Sequence, residues 1–554
     1  MSHCPLIAIS FLFFCLSILN PVHTLPWGSF FSEFFCFVAA LILLSLLFRS
    51  HIEIPKITLP FLLISAIPLL QLSCSQIFYF SIAFFSFVNL FYFWLMIIVG
   101  FNFCSKDKKI LDVSFFLAVF FLVVSFISSL IALSQWLGFS NHSTVIMSFE
   151  GSRPYANMAQ PNHLATYLCL GIFSCWYLFE KNKFHGCVAT ILCLFLIFTV
   201  ILTQSRTAML ILLFSAFYIF LNIKKYDLKL SKIRLITLFA YFIGSIFFFP
   251  ILNTFLSKYF DIAKANSLID RAAAGYERLA IWGQMLNAVK EKPWLGYGWN
   301  QTTSAQFNVV NQGEVHVWLK SSHNIILDIF VWCGIPLGII IILFITYFYL
   351  KIFLEIEDKK DIFCFLAISA VVMHSMLEFP MYYSYFFIPV GLLVGILLKK
   401  EKNKCIKANS IVVVLIFFIS LGGLIGVFKE YMKIDDNLFA GKLHAMGDLR
   451  TKVDLPHHLY FFDFFDARAR WLALYPKQKV SEQQLIDAKK MVQTYLKPYD
   501  LYKYAQLLAF NDKKQEAKEQ LEILHTLYGV DMSYGNLFDE SMSKEVNSGS
   551  NLKE

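Results

Sequence analysis

Five short polar stretches, four beside the end or start of an apolar run and one within the long loop 257–322, hold residue types suited to a charged, hydroxyl-rich substrate. The first spans 150–166 and includes Arg153-Pro-Tyr155-Ala-Asn157-Met-Ala-Gln160-Pro-Asn162-His163, turn-rich at the mouth of an expected helix. Pro154 and Pro161 restrict its backbone, and Asn157, Gln160, Asn162 and His163 offer hydrogen bonds of the kind that read sugar hydroxyls or hold a phosphate. Asn162 and His163 serve equally well as caps of the helix that follows. The second stretch, Gln204-Ser-Arg206-Thr207, falls where one apolar span ends and the next begins. The alternative for Arg206 is a snorkelling interfacial side chain.

The third stretch, Tyr276-Glu-Arg278-Leu-Ala-Ile-Trp282, has Arg271 seven residues earlier on the same helical face. Alone, Arg278 reads as a solvated position paired with Glu277. Several guanidiniums on one membrane face shift that balance, because Arg is the preferred fork for diphosphate oxygens and keeps its charge. The fourth follows the Gly-punctuated turn Trp294-Leu-Gly296-Tyr-Gly298 and reads Ser321-Ser-His323-Asn324, running into an apolar helix. A histidine there is either an interfacial hydrogen bonder or a base, the one side chain able to take a hydroxyl proton near neutral pH without prior tuning. The fifth, His374-Ser-Met-Leu-Glu378-Phe-Pro380-Met-Tyr382, sets a carboxylate beside a Pro-broken turn.

The elements that position these stretches are membrane helices. The chain of 554 residues is 58% hydrophobic, 15% charged and carries 61 Phe, more apolar surface than a water-soluble protein of this length can bury. Apolar runs long enough to cross about 30 Å of hydrocarbon predict an all-α polytopic membrane protein of about thirteen transmembrane helices. They fall at 5–20, 29–48, 57–73, 77–101, 112–136, 163–179, 185–203, 206–222, 233–254, 323–350, 361–379, 383–398 and 408–428. The first is read as a retained helix, since no basic segment precedes it and no small-residue cleavage site follows.

Arg49, Lys56, Lys106, Lys108, Lys109, Lys181, Lys183, Lys224, Lys225, Lys229, Lys232, Arg234, Lys351, Lys359, Lys360 and the lysines of 399–407 all fall in alternate loops. The formal net charge of +9 thus reports topology rather than a nucleic-acid partner. With those loops cytoplasmic, loops 137–162 and 257–322 and the tail 429–554 face outward, into the periplasm of a bacterial cell. The expected division is a membrane domain 1–428, an outward helical domain 429–539 and a disordered tail 540–554. Leu501 to Tyr528 resembles one tetratricopeptide unit, or a plain amphipathic helical pair. The 12 cysteines lie in or beside apolar segments, in no disulfide or zinc pattern.

Together the five stretches resemble the O-antigen ligase superfamily, and within it the bacterial protein O-oligosaccharyltransferases, or pilin glycosylation ligases. The most specific element is Arg153 to His163. Gln204 to Arg206, Arg278 to Trp282 with Pro293 and Gly296-Tyr-Gly298, Ser322-His323-Asn324, and His374 to Tyr382 support it. Ala156 stands where the family often has Gly, and Lys320-Ser-Ser322 where it often has a second histidine, which His316 could represent.

The resemblance implies en bloc transfer of a glycan from undecaprenyl diphosphate to Ser or Thr hydroxyls of exported proteins such as pilin, at the bacterial inner membrane. It assigns Arg206 and Arg278 to the diphosphate and His323 to the acceptor proton, with Arg153, Tyr155, Asn157, Gln160, Asn162, His163, Gln204, Asn324 and Glu378 around the substrate. No cofactor or metal is expected: the first outward loop, Pro21 to Gly28, holds no acid. Close alternatives are an O-antigen ligase acting on lipopolysaccharide core, or an O-antigen polymerase. A transporter would show internal repeats and charges deep in its spans, whereas most polar features here cluster on one face.

Overall fold

The computed structural model describes residues 4–48, 51–105, 112–140, 143–259, 262, 268–313, 315–446 and 453–539. Arg49, Lys106, Lys108, Lys109 and the tail 540–554 lie outside the described residues, as does the side chain of Arg271. The first fifteen helices to the tail are α1 Cys4–Leu19, α2 Phe30–Ser45, α3 Leu59–Ser73, α4 Phe80–Ser105, α5 Val113–Trp136, α6 Pro161–Glu180, α7 Gly186–Thr203, α8 Arg206–Asn222, α9 Lys232–Leu256, α10 Leu268–Glu291, α11 Thr302–Val309, α12 Ile325–Leu354, α13 Lys359–Ser375, α14 Ser384–Leu397 and α15 Ser410–Tyr431. The tail adds α16 Ile434–Met446, α17 Asp463–Ala473, α18 Glu482–Thr494, α19 Pro498–Phe510 and α20 Lys514–Tyr528.

Every expected span falls on a helix of its own. Among the described residues seven helices, built on α3, α4, α5, α7, α9, α12 and α15, are long and apolar enough to cross a membrane, while α1, α2, α8 and α14 are apolar but shorter. The protein is an all-α, multi-pass membrane protein. Its small β content, β1 Ile52–Pro55 paired antiparallel with β2 Cys405–Ala408, was not anticipated.

The chain packs as two compact units. One comprises Met1–Ile64, Asn89–Leu268 and Ile345–Leu424. Its helices α4 and α14 cross at backbone contact: a Cβ on Gly391 would lie 2.6 Å from the Phe93 carbonyl oxygen, and one on Gly395 would strike that of Ile97. The spacing Gly391-x-x-x-Gly395 is the small-residue pattern that lets membrane helices approach closely, where dispersion contacts replace the hydrophobic drive.

At the basic-loop end, loops expected to share a face bond to one another. Glu180 accepts from the Lys229 and Leu230 amides and from Lys359 Nζ, each at 2.9 Å, and Asp361 accepts from Lys399 Nζ at 2.7 Å.

The second unit comprises Ser65–Val88, Ile269–Phe344 and Ile425–Glu554. Here α18, α19 and α20 form one core with Tyr79, Phe307 and Val310. The tail helices and the long loop are therefore packed as a single body. In α19, Asp500 is buried and accepts from Arg468 and from Trp471 Nε1 (2.7 Å), while Lys503 Nζ donates to the Trp471 carbonyl at 2.7 Å. Burial pushes the Lys503 ammonium down to about 7, with Asp500 opposing the shift.

Because the folded pKa lies below that of an exposed lysine, the unfolded chain binds the extra proton between about pH 7 and 10.5. The tail should therefore gain stability as pH rises through that window, by at most about 1.4 kcal/mol per unit. Hydrogen exchange of α19 peptides should show protection rising from pH 7 to 9 in the wild type and flattening in Lys503→Met. For the first unit, Gly395→Val should lower the thermal unfolding midpoint in detergent, at a cost of about 1–3 kcal/mol or more. Gly422→Val, where a Cβ meets nothing within 4 Å, should leave it unchanged.

Candidate active site

In the first unit, Gln160 caps α6 and Pro161 opens it. This end carries a chain of polar contacts. Arg153 Nη2 donates to Asn162 Oδ1 at 3.0 Å, Asn162 Nδ2 donates to Glu378 Oε1 at 3.0 Å, and Gln160 Nε2 reaches Glu378 Oε2 at 3.4 Å. Arg153 Nε also donates to the Thr203 carbonyl at 2.8 Å, which fastens the turn Gln204–Arg206 to the mouth of α6. Four predicted residues, Arg153, Gln160, Asn162 and Glu378, are thus brought together, with Gln204 and Arg206 on an adjoining turn. Gln204 is buried with φ +51°, and Arg206, first residue of α8, is exposed.

Tyr155 and Asn157 engage the loop itself. The Tyr155 hydroxyl donates to the Ser148 carbonyl at 2.7 Å, and burial raises its phenol above the usual value. Asn157, 2% exposed, donates to the Leu19 and Val145 carbonyls and accepts from the Met147 amide. Both residues shape the loop in this structure. Ala156 takes φ +51°, the left-handed conformation that glycine adopts most readily.

His163 turns away from Asn162 into a buried polar layer. Its Nδ1 lies 3.1 Å from the Tyr385 hydroxyl, its ring 5.5 Å from that of His374, and His374 Nδ1 is 2.8 Å from Thr166 Oγ1. Sequence reasoning singled out neither Thr166 nor Tyr385. Nor does the sequence pattern mark Glu33, just beyond the loop 21–28: this buried carboxylate in the first turn of α2 accepts from the Ser384 amide at 3.0 Å, and its other oxygen has no hydrogen-bond partner.

The second unit holds His323, Asn324 and Arg278. Asn324 caps α12, its Oδ1 accepting from the Ile326 amide at 3.0 Å. His323 sits just before it at φ +57°, an uncommon conformation for a non-glycine residue. The strain is held by Asp328, fully buried one turn into α12. Its carboxylate accepts from Ser321 Oγ (2.7 Å), the Ser322 amide (2.8 Å) and Thr302 Oγ1 (3.1 Å), while Ser321 Oγ accepts from the His323 amide.

Arg278, half-buried, lies one helical turn from Trp282, whose Nε1 donates to the Ser322 carbonyl at 3.1 Å. That contact draws the Arg278 face of α10 to the His323 turn. His316 is elsewhere: its ring bonds the Thr526 carbonyl in α20 at 2.7 Å, joining the loop to the tail.

Below this turn α12 is broken at Gly334 (φ +73°). The freed carbonyls of Val331 and Trp332 accept from the Tyr297 and Gly298 amides at 2.8 and 3.0 Å. A Cβ on Gly296 would lie 2.6 Å from the Gly334 nitrogen, so only glycine permits the contact. Among the described residues, no group of three or more His, Cys, Asp or Glu is placed to hold a metal ion.

Comparison with known proteins gives the class. Residues 191–342 match the O-Antigen ligase family, 154–179 the family described as Protein glycosylation ligase, and 362–534 that described as Virulence factor membrane-bound polymerase, C-terminal. Across nearly its whole length the chain is similar to two Acinetobacter baylyi proteins. It is 33% identical to a General O-oligosaccharyltransferase over 94% of this chain and 92% of the relative. It is 30% identical to a ComP-specific O-oligosaccharyltransferase over 87% and 88% respectively. The chain belongs to the O-oligosaccharyltransferase family and is a glycosyltransferase of protein O-glycosylation.

Asp328→Asn replaces an acceptor oxygen with a donor amide against three donors. Purified protein carrying it should lose about 1–3 kcal/mol in thermal unfolding.

Proposed function

We propose that the protein transfers a preassembled glycan en bloc from undecaprenyl diphosphate to Ser or Thr hydroxyls of exported, pilin-like proteins at the bacterial inner membrane. The observation that carries this reading is the His323 turn: a titratable side chain held in a strained conformation by a buried carboxylate, in a chain of this family. The basic loops face the cytoplasm, and loops 137–162 and 257–322 and the tail face the periplasm. Residues 1–428 form the membrane domain, and 429–539 an outward helical domain that recruits the acceptor.

In this mechanism His323 takes the proton of the acceptor hydroxyl as its oxygen bonds the anomeric carbon. The bond from that carbon to the diphosphate oxygen breaks, and the electron pair leaves with undecaprenyl diphosphate. Arg206 and Arg278 hold the diphosphate and neutralise the charge that grows on it. Arg153, Gln160, Asn162 and Glu378 form a hydrogen-bonding edge for sugar hydroxyls, with Gln204 and Asn324 setting the turns that carry Arg206 and His323. Tyr155, Asn157 and His163 support that edge from behind. The leaving group is already activated, so positioning and charge neutralisation suffice without a metal ion.

In cells, His323→Ala, Arg206→Ala and Arg278→Ala should each abolish glycan transfer at normal expression. Intact-mass spectrometry of exported proteins should show the glycan mass only with the wild-type gene. Normal glycosylation by a well-expressed His323→Ala protein would remove the base assignment, and a changed lipopolysaccharide ladder with unmodified proteins would favour an O-antigen ligase.

A further inference from the structure

Helices α6, α7, α8 and α9 of the first unit line a partly open apolar slot that shares no residue with the transfer site. Its walls are Phe173, Trp176, Ile197, Leu212, Leu238 and Phe242, and Arg234 stands at one end. That end is the basic one. It gathers the end of α6, the start of α7, the end of α8 and the start of α9, opposite the turn that carries Arg206.

The Arg234 side chain is exposed and its guanidinium lies 5.8 Å from the Phe179 ring. Lys232 stands two residues away, its Nζ 4.4 Å from the Phe220 ring. Glu180, at the same end of α6, is already paired with Lys359 at 2.9 Å.

The slot's length identifies its occupant. The lining runs from Phe179 to Ile172 on α6, from Gly186 to Ile197 on α7 and from Arg234 to Phe242 on α9. At 1.5 Å per residue that is roughly 10–16 Å, about half the hydrocarbon core. A hydrocarbon slot one leaflet deep, capped by a guanidinium, fits one acyl chain with an anionic headgroup. A polyprenyl carrier whose diphosphate sat at Arg206 would place its charge at the other end.

We propose that this slot binds an anionic phospholipid from the leaflet on the basic-loop side, one acyl chain between α6 and α9 and the phosphate on Arg234. Bound lipid would brace α9, most of whose length is otherwise uncovered in its own unit.

The test is native mass spectrometry of the full-length protein, delipidated in non-ionic detergent, with phosphatidylglycerol or phosphatidylcholine of matched chains. The wild type should retain phosphatidylglycerol about fivefold better, the value of one interfacial cation. Arg234→Gln, a change at an exposed side chain, should erase that preference, and Ala216→Trp, which fills the slot, should remove retention of both lipids. Equal retention by the wild type, or a preference that survives Arg234→Gln, overturns the proposal. So does an undecaprenyl phosphate adduct displaced by Ala216→Trp while phosphatidylglycerol stays bound.

Discussion

Hydrocarbon offers no partner to a backbone amide or carbonyl, so any irregular segment at membrane depth must be satisfied by the protein itself. The rest of the second unit depends on how that requirement is met at Gly334. Breaking α12 frees the Val331 and Trp332 carbonyls, and the Gly296–Gly298 turn supplies the amides that pair with them. Two glycines in contact make this possible, and the pairing anchors the loop that leads to α11 and then to His323. The polar end of α12 and its long loop are thereby built as one piece.

Four of the nine non-glycine residues with positive φ among the described residues lie where the chemistry is assigned. Ala156, Ala159, Gln204 and His323 all have positive φ without being glycine, and all lie in or beside the stretches singled out for function. Such conformations cost of order 1–3 kcal/mol each and persist only where the surroundings over-determine them. For His323 the surroundings are Asp328 and its three donors; for the mouth of α6 they are Arg153, Asn162 and Glu378. On the proposed mechanism a rigid polar edge and a rigid histidine turn serve a transferase whose rate comes from placement.

Most of the helices were legible in the sequence because membrane spans announce themselves by length and hydropathy. Charge bias also grouped the loops now seen to bond at one end, through Glu180 and Asp361. Four of the five polar stretches were legible because they lie where an apolar run begins or ends, and the fifth because it sets arginines in the long loop. What escaped was partnership: Asp328 and Glu33 sit just inside apolar helices, and nothing local reveals that one clamps the His323 turn while the other meets Ser384. The charged residue within an apolar run was the available signal. The core shared by the tail with Tyr79 and Phe307 was illegible because those residues are far apart in the chain.

On the proposed mechanism the protein joins a lipid-diphosphate-linked glycan to a protein hydroxyl using its own residues alone. Purified full-length protein in detergent, given an undecaprenyl-diphosphate glycan and an exported pilin-like acceptor with a chelator present, tests it by intact mass. The acceptor should gain one glycan mass on Ser or Thr with the wild type and none with His323→Ala. An unmodified acceptor beside lengthened lipid-linked glycan would contradict the account.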